Sequence, residues 1–306
     1  MIRWSNGLIY QYGAASGTFG KDGGGWEHQK LLRKFGILDL NRLGIIPEAK
    51  TFTLEPTVGN WTGKFSDCIE FIGHPRLQGI PVLKQIPYGS RNAIGMSNDG
   101  ANIEIERIRR FIQQTGIRPI VSITGSTEEL VAMALMVNKI PAAAMIINGS
   151  CPNLCSSIPD EERIGEGCRA IKKVSRHPVL VKVSVNHDPE KIASEVDGAV
   201  ESILVNAPAH NLLYETPSRF APHKSKVGGG ISGGPAQVLT FPYVKKLSEI
   251  STTPVVGCSV VYYGDMAKLY GLGAKAINFG FLALTYPWLI PPYIYWDRRR
   301  LLKLRQ

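Results

Sequence analysis

Cysteine is scarce in this chain, with five residues in 306: Cys68, Cys151, Cys155, Cys168 and Cys258. An odd and scattered set argues against a fold stapled by disulfides. Cys151 and Cys155 have CxxxC spacing, but no second Cys/His pair follows to complete a zinc site, and the six histidines have no metal-like spacing. Long apolar runs are missing too. None approaches the roughly 18 to 20 residues that a spanning helix needs. The segment Met1-Ile2-Arg3-Trp4-Ser5-Asn6-Gly7 lacks the apolar core of a secretory signal. These absences predict a reduced, cytoplasmic protein with free thiols and no metal. Acidic residues are outnumbered, 25 Asp and Glu against 35 Lys and Arg, for a net charge of +10. Residues 296–306 hold five basic side chains and one Asp. A positive field suits anionic small molecules, phosphates, nucleic acid or a membrane surface, and a solvated basic helix end accounts for it equally well.

What the chain does have is alternation. From residue 119 onward, short apolar runs and amphipathic stretches take turns. Strands are predicted at 119–123, 142–148, 178–184, 201–206, 254–258 and 275–280. Helices are predicted from 126 to about 137, then over 160–175, 188–197, 234–250 and 265–271. Ser126-Thr127-Glu128-Glu129 offers a capping box to the first of these. Leu8–Tyr12, Ile45–Phe52 and the Ile80–Leu83 region can supply further strands. Such βαβ units predict a parallel sheet. About eight of them in one chain of this length fit a closed (β/α)₈ TIM barrel better than an open sheet. We therefore expect an α/β fold in one domain over 1–306, with a basic tail from about 284. The site of such a barrel forms at the C-terminal ends of its strands.

The residues at those ends carry chemistry. Ile147-Asn148-Gly149-Ser150-Cys151-Pro152-Asn153 follows a buried strand and sets two amides and a thiol at one mouth. Asn92 and Asn206 add two more amides. A cage of amides suits a uracil-like ring, which alternates donors and acceptors around its edge, and it discriminates sharply because a wrong ligand leaves amides unpaired. Lys50 and Lys182 lie within strand-like segments, where an ammonium needs a polar cavity or a partner. A positive charge near a flavin would stabilise its reduced anion. Ala15-Ser16-Gly17 and Gly228-Gly229-Gly230-Ile231-Ser232-Gly233-Gly234 let backbone approach a ligand and offer N–H groups to phosphate.

Taken together, these segments resemble the dihydroorotate dehydrogenases, FMN-binding (β/α)₈ flavoproteins, over residues 8 to about 282. The matching pieces are Ala15-Ser16-Gly17, Lys50-Thr51-Phe52-Thr53-Leu54-Glu55-Pro56 with Gly59-Asn60, and Asn92-Ala93-Ile94-Gly95-Met96. They continue with Asn148-Gly149-Ser150-Cys151-Pro152-Asn153, Lys182, Asn206 and Gly230-Ile231-Ser232-Gly233. The resemblance implies oxidation of (S)-dihydroorotate to orotate in pyrimidine biosynthesis. Cys151 matches the general base that removes the C5 proton while C6 gives hydride to flavin N5. A cysteine here implies the soluble branch, since serine marks the membrane-associated one. Asn92, Asn148, Asn153 and Asn206 match the asparagines that hold the pyrimidine, with Ala207 beside the last. Lys50, with Ile94, Gly95 and Met96, matches the carboxylate site. For FMN the matches are Ala15, Ser16, Gly17, Lys50, Thr51, Lys182, Gly230, Ser232 and Gly233, with Gly257, Cys258, Ser259, Gly280 and Phe281 at the phosphate end. A homodimer is implied as well, and the electron acceptor is left open among fumarate, a quinone and a partner iron–sulfur/flavin subunit that passes electrons to NAD.

The chain departs from that pattern in four places. Gly257-Cys258-Ser259 stands where the family has Gly-Gly, and Gly280-Phe281 where it has Gly-Thr. Ala207 replaces a hydroxyl residue, and Thr57 stands where one soluble subgroup has arginine. Two other readings share some of the residues: a flavin enzyme acting on uridine in RNA, and a flavin-binding relative without activity. No nucleic-acid partner is expected, because no separate RNA-binding segment is evident. The stretch Thr285–Trp296 followed by Asp297-Arg298-Arg299-Arg300 is rich in aromatics and arginine, as membrane-interface segments are. Packing of this tail on the barrel or on a dimer partner is the simpler expectation, and its three prolines predict no regular helix.

Overall fold

A computed structural model describes residues 1–60, 69–70, 83–150, 159–215 and 228–304, with only the backbone given for 69–70. Eight strands form one parallel sheet: β1 Tyr12–Ala14, β2 Ile45–Pro47, β3 Ile120–Ile123, β4 Ala144–Asn148, β5 Val179–Val183, β6 Ser202–Val205, β7 Val255–Gly257 and β8 Ala276–Phe279. Each pairs with its neighbour in chain order, and β8 pairs with β1. Parallel bridges Glu48↔Ile120 and Phe52↔Ile123 join the extension of β2 to β3 and close the ring. The predicted barrel is observed.

A helix follows each strand. These are α1 Glu27–Lys34, α2 Ala101–Thr115, α3 Thr127–Val137, α4 Glu161–Val174, α5 Pro189–Val196, α6 Gln237–Ile250, α7 Tyr263–Gly271 and α8 Ile290–Lys303. Their starts are written locally. The Ser126/Glu129 capping box opens α3. Asp160 caps α4 by accepting from Arg163 N, and Asp188 caps α5 ahead of Pro189. The prediction of no helix within 285–296 is overturned. Pro291 and Pro292 fall in the first turn of α8, where their missing N–H groups have no intrahelical partner to lose. The basic tail is thus the eighth barrel helix. Ile290 and Ile294 are buried, and the fully buried Asp297 accepts from Tyr12 Oη at 2.8 Å.

Two other expectations shift. Leu8–Tyr12 divides into Ile9–Tyr10, which forms an antiparallel hairpin with Ile2–Arg3, and the start of β1. Leu83–Ile86 is no barrel strand. It pairs antiparallel with Gly89–Asn92, which pairs in turn with Gly230–Gly233, in a side sheet joining the β2–α2 and β6–α6 connections.

The barrel has two apolar compartments, separated by the two-residue alternation of a strand. Outward residues such as Val121, Ile147, Val181, Ile203 and Ile277 pack with the helices. Inward residues Ile120, Ala144, Ile146, Leu180, Leu204, Val256 and Ala276 form an inner cluster, with Ile2, Trp4 and Tyr10 of the N-terminal hairpin plugging the lower end. Trp4 Nε1 donates to Ser202 Oγ at 3.1 Å there. Among the described residues, no helix is long and apolar enough to cross a membrane.

Candidate active site

Along each strand from β2 to β8 the inward positions change character toward the C-terminal end. Ile46 is followed by Glu48 and Lys50, Ile120 by Ser122 and Thr124, and Ile146 by Asn148 and Ser150. Leu180 gives way to Lys182, Leu204 to Asn206, Val256 to Cys258 and Ala276 to Asn278. An apolar floor therefore carries a polar tier, and that tier is the mouth at which a barrel does its chemistry.

Much of the tier is one hydrogen-bonded chain. Thr51 N donates to Ser16 Oγ at 3.0 Å, and the two hydroxyls lie 3.1 Å apart. Thr51 Oγ1 contacts Ser122 Oγ at 2.8 Å and accepts from Asn148 Nδ2 at 2.9 Å. Asn148 Oδ1 accepts from Ser150 Oγ at 2.9 Å, and the Ser150 hydroxyl accepts from Asn206 Nδ2 at 2.9 Å. Thr124 Oγ1 donates to the Asn148 carbonyl at 3.1 Å. Of the residues expected from sequence, Ser16, Thr51, Asn148 and Asn206 are thus brought together, and the linking Ser122, Thr124 and Ser150 were missed. Their signal was present in the alternation of the strands, which places them on the inward face.

The lysines diverge. Lys50 Nζ donates to the Ser97 carbonyl at 2.7 Å and contacts that of Gly95 at 3.4 Å, which ties β2 to the loop containing Ile94, Gly95 and Met96. That loop is braced by Asn60, whose N donates to Ile94 O at 3.0 Å and whose Nδ2 donates to Ala93 O at 2.8 Å. Lys182 instead forms a buried ion pair with Glu48, a residue absent from the sequence expectations. Asn92 ends its side-sheet strand opposite Gly230. Ala207 follows Asn206, half-buried at the end of β6. Cys151 and Asn153 lie outside the described residues.

At the end of β7, Ser259 adopts φ +67°, the left-handed conformation usual for glycine, so the backbone there takes a glycine-like course without one. Burial pushes the Cys258 thiol up to about 11, against the opposing pull of Ser259, Thr240 and the nearby Lys182 charge. Gly280 is open, with Ala15 Cβ as its nearest neighbour at 3.8 Å, whereas Phe281 is buried against Tyr286. Gly233 has φ +89°, and a Cβ there would sit 2.5 Å from the Tyr88 carbonyl, so packing of the side sheet alone demands glycine. Ser232 lies between it and Gly230 on that strand.

The family model described as dihydroorotate dehydrogenase matches residues 72–280. This chain belongs to the dihydroorotate dehydrogenase family. It is therefore an oxidoreductase by family. Its relatives include proteins named dihydroorotate dehydrogenase B (NAD(+)), catalytic subunit. The one from Endomicrobium trichonymphae is 29% identical over 279 residues, covering 89% of this chain and 82% of the relative. The one from Geobacillus kaustophilus is 28% identical over 292 residues, covering 92% and 83%. In this family member, the matched segment takes in β3 to β8 and every strand-end residue from Ser122 to Asn278 described above.

Proposed function

We propose that this protein oxidises (S)-dihydroorotate to orotate with FMN as its cofactor. The observation that carries the reading is the hydroxyl–amide chain from Ser16 through Thr51, Asn148 and Ser150 to Asn206, which converges at the barrel mouth. Its amides offer the alternating donors and acceptors that a pyrimidine edge needs.

The residues fit FMN. Ser259 provides a glycine-like turn at the end of β7, and Gly280 leaves open space at the end of β8. Among the described residues, the buried Asn278 Oδ1 has no hydrogen-bond partner, so the tier holds an acceptor for a ligand donor. Residues that would hold the cofactor are Ala15, Ser16, Gly17, Thr51, Lys182, Gly230, Ser232, Gly233, Gly257, Cys258, Ser259, Gly280 and Phe281. When bound, FMN supplies the acceptor for the hydride that leaves C6. Cys151 removes the C5 proton, which is weakly acidic beside a carbonyl. A positioned base of this kind is worth about 10²–10⁴ in rate. A free thiol titrates near ~8.5, so the reaction speeds up toward alkaline pH. Asn92, Asn148, Asn153 and Asn206 orient the ring. Lys50, with the Ile94–Met96 loop and Ala207 alongside, takes the substrate end bearing the carboxylate.

The relatives' name, an NAD(+)-linked catalytic subunit, supports a partner subunit that carries electrons onward, and we place the protein in the cytoplasm as a homodimer. The test is the visible spectrum of the purified protein before and after adding L-dihydroorotate without oxygen. A flavin band that bleaches supports the reading. A band that persists assigns another substrate, and no flavin even after adding FMN removes the FMN reading. Cys151→Ala is expected to keep FMN while flavin reduction slows about 10²–10⁴-fold. Near-wild-type reduction would take Cys151 out of the mechanism.

A further inference from the structure

Glu48 directly follows β2 and Lys182 lies on β5, three strands away around the barrel, so their ion pair spans the interior. Lys182 is level with Asn148 in the β4–β5 register, which places the pair against the hydroxyl–amide chain. Their side chains are 0% and 3% exposed. Taking both charges out of water is costly, and an apolar pair of similar volume is often as stable or more so. Stability therefore gives little reason for this pair. Among the described residues, Glu48 Oε2 has no hydrogen-bond partner, an unusual state for a buried carboxylate oxygen. Both charges act on their surroundings: Glu48 helps burial push the Tyr10 phenol up, and Lys182 draws the Cys258 thiol down.

We infer that Glu48 is the counter-ion that neutralises Lys182 at the cofactor, so that the flavin meets a net-neutral pair rather than a bare ammonium and is held at a lower reduction potential. This rests on the FMN reading above. Reduction adds two electrons and a proton to the flavin and leaves a form that can carry negative charge, which a bare cation favours and a closed ion pair does not. Lys50 is instead drawn to the Ser97 and Gly95 carbonyls. Glu48 thus tunes how readily electrons leave the reduced enzyme for the next carrier.

The test uses the FMN-loaded protein. Its midpoint potential is measured by equilibration with a reference dye. Its affinity for sulfite, which adds to oxidised flavin and leaves a negative charge on the ring, gives a second reading. Glu48→Gln keeps the shape and removes the charge. It is expected to shift the equilibrium toward reduced flavin at least tenfold, ~30 mV for a two-electron couple, and to tighten sulfite binding by a similar factor. Glu48→Asp retains the carboxylate and should return most of the way to wild type. An unchanged potential and sulfite affinity in Glu48→Gln, or equal shifts in both variants, would overturn the inference. Should Glu48→Gln alone fail to fold, Glu48→Gln/Lys182→Met removes both charges. A near-wild-type potential in that double variant supports a neutral pair, and a tenfold shift toward oxidised flavin overturns it. A wild-type protein that takes up no flavin sinks the FMN reading itself, a result distinct from a loaded enzyme whose potential ignores Glu48.

Discussion

Ser150 is fully buried at the centre of the site, and its hydroxyl links Asn148 to Asn206. Ser150→Ala removes both links. Asn148 Oδ1 keeps the Ser150 backbone N–H at 3.2 Å, but Asn206 Nδ2 loses this acceptor. At about 0.5–1.5 kcal/mol net per neutral hydrogen bond, stability should fall by about 1–2 kcal/mol, read from the urea midpoint. With Asn206 free to rotate, orotate binding should weaken about tenfold, the equivalent of ~1.4 kcal/mol, read by titration calorimetry. An unchanged affinity would show that the chain stabilises the mouth without orienting a ligand. At this scale the asparagines were legible in the sequence because an amide ending an apolar strand has few structural reasons to be there. Glu48 was not. Its neighbours in sequence, Pro47 and Ala49, say nothing of Lys182, and the ion pair closes only when β2 and β5 face each other across the barrel.

Among the elements, α8 shows how position overrides composition. Three prolines and a run of aromatics predict an irregular segment, yet two of the prolines fall where a helix begins, and the residues after them carry a regular helix to Lys303. The helix is fixed to β1 by Asp297, which accepts from Tyr12 Oη at 2.8 Å and from Arg300 Nη2 at 2.9 Å. Arg298 adds a bond from Nη2 to the Leu43 carbonyl at 2.7 Å. Removing one partner of a fully buried pair costs about 3–5 kcal/mol. Arg300 is partly exposed and its share is screened, so Asp297→Ala should cost about 2–3 kcal/mol, measured by denaturant unfolding. A loss below half a kcal/mol would mean that Ile290, Ile294 and Tyr293 hold the helix without the anchor. The β3–α3 to β8 portion was legible because each strand and each cap is set within a few residues. The side sheet was not, since Gly230–Gly233 and Gly89–Asn92 are far apart in sequence and Gly-rich strands carry no alternation.

Taken whole, the molecule buries His187 and half-buries His28 and His177. Burial lowers His28, His177 and His187, in each case against a backbone carbonyl that pulls the other way. His187 Nδ1 accepts from Ser184 N at 3.1 Å, which leaves Nε2 to donate to the Pro159 carbonyl at 3.1 Å, so it joins the end of β5 to the start of α4. A histidine lowered in the fold takes up its proton more readily when unfolded. Its contribution to stability is complete above the unfolded value near 6.5 and declines as pH falls from there toward the lowered folded values. Urea midpoints should thus be level above about pH 7 and drop between pH 6.5 and 5, and a flat profile would remove these histidines from the balance. The sequence by itself determined the barrel, the starts of the helices from α3 to α7 to within a few residues and the family, because a two-residue strand period, capping residues and strand-end motifs are local and survive in the linear text. Tertiary structure alone decided which polar groups meet. The Ser16-to-Asn206 chain draws on five strands, and Glu48 finds Lys182 across 134 positions, pairings that depend on how the sheet staggers as it closes rather than on any spacing along the chain.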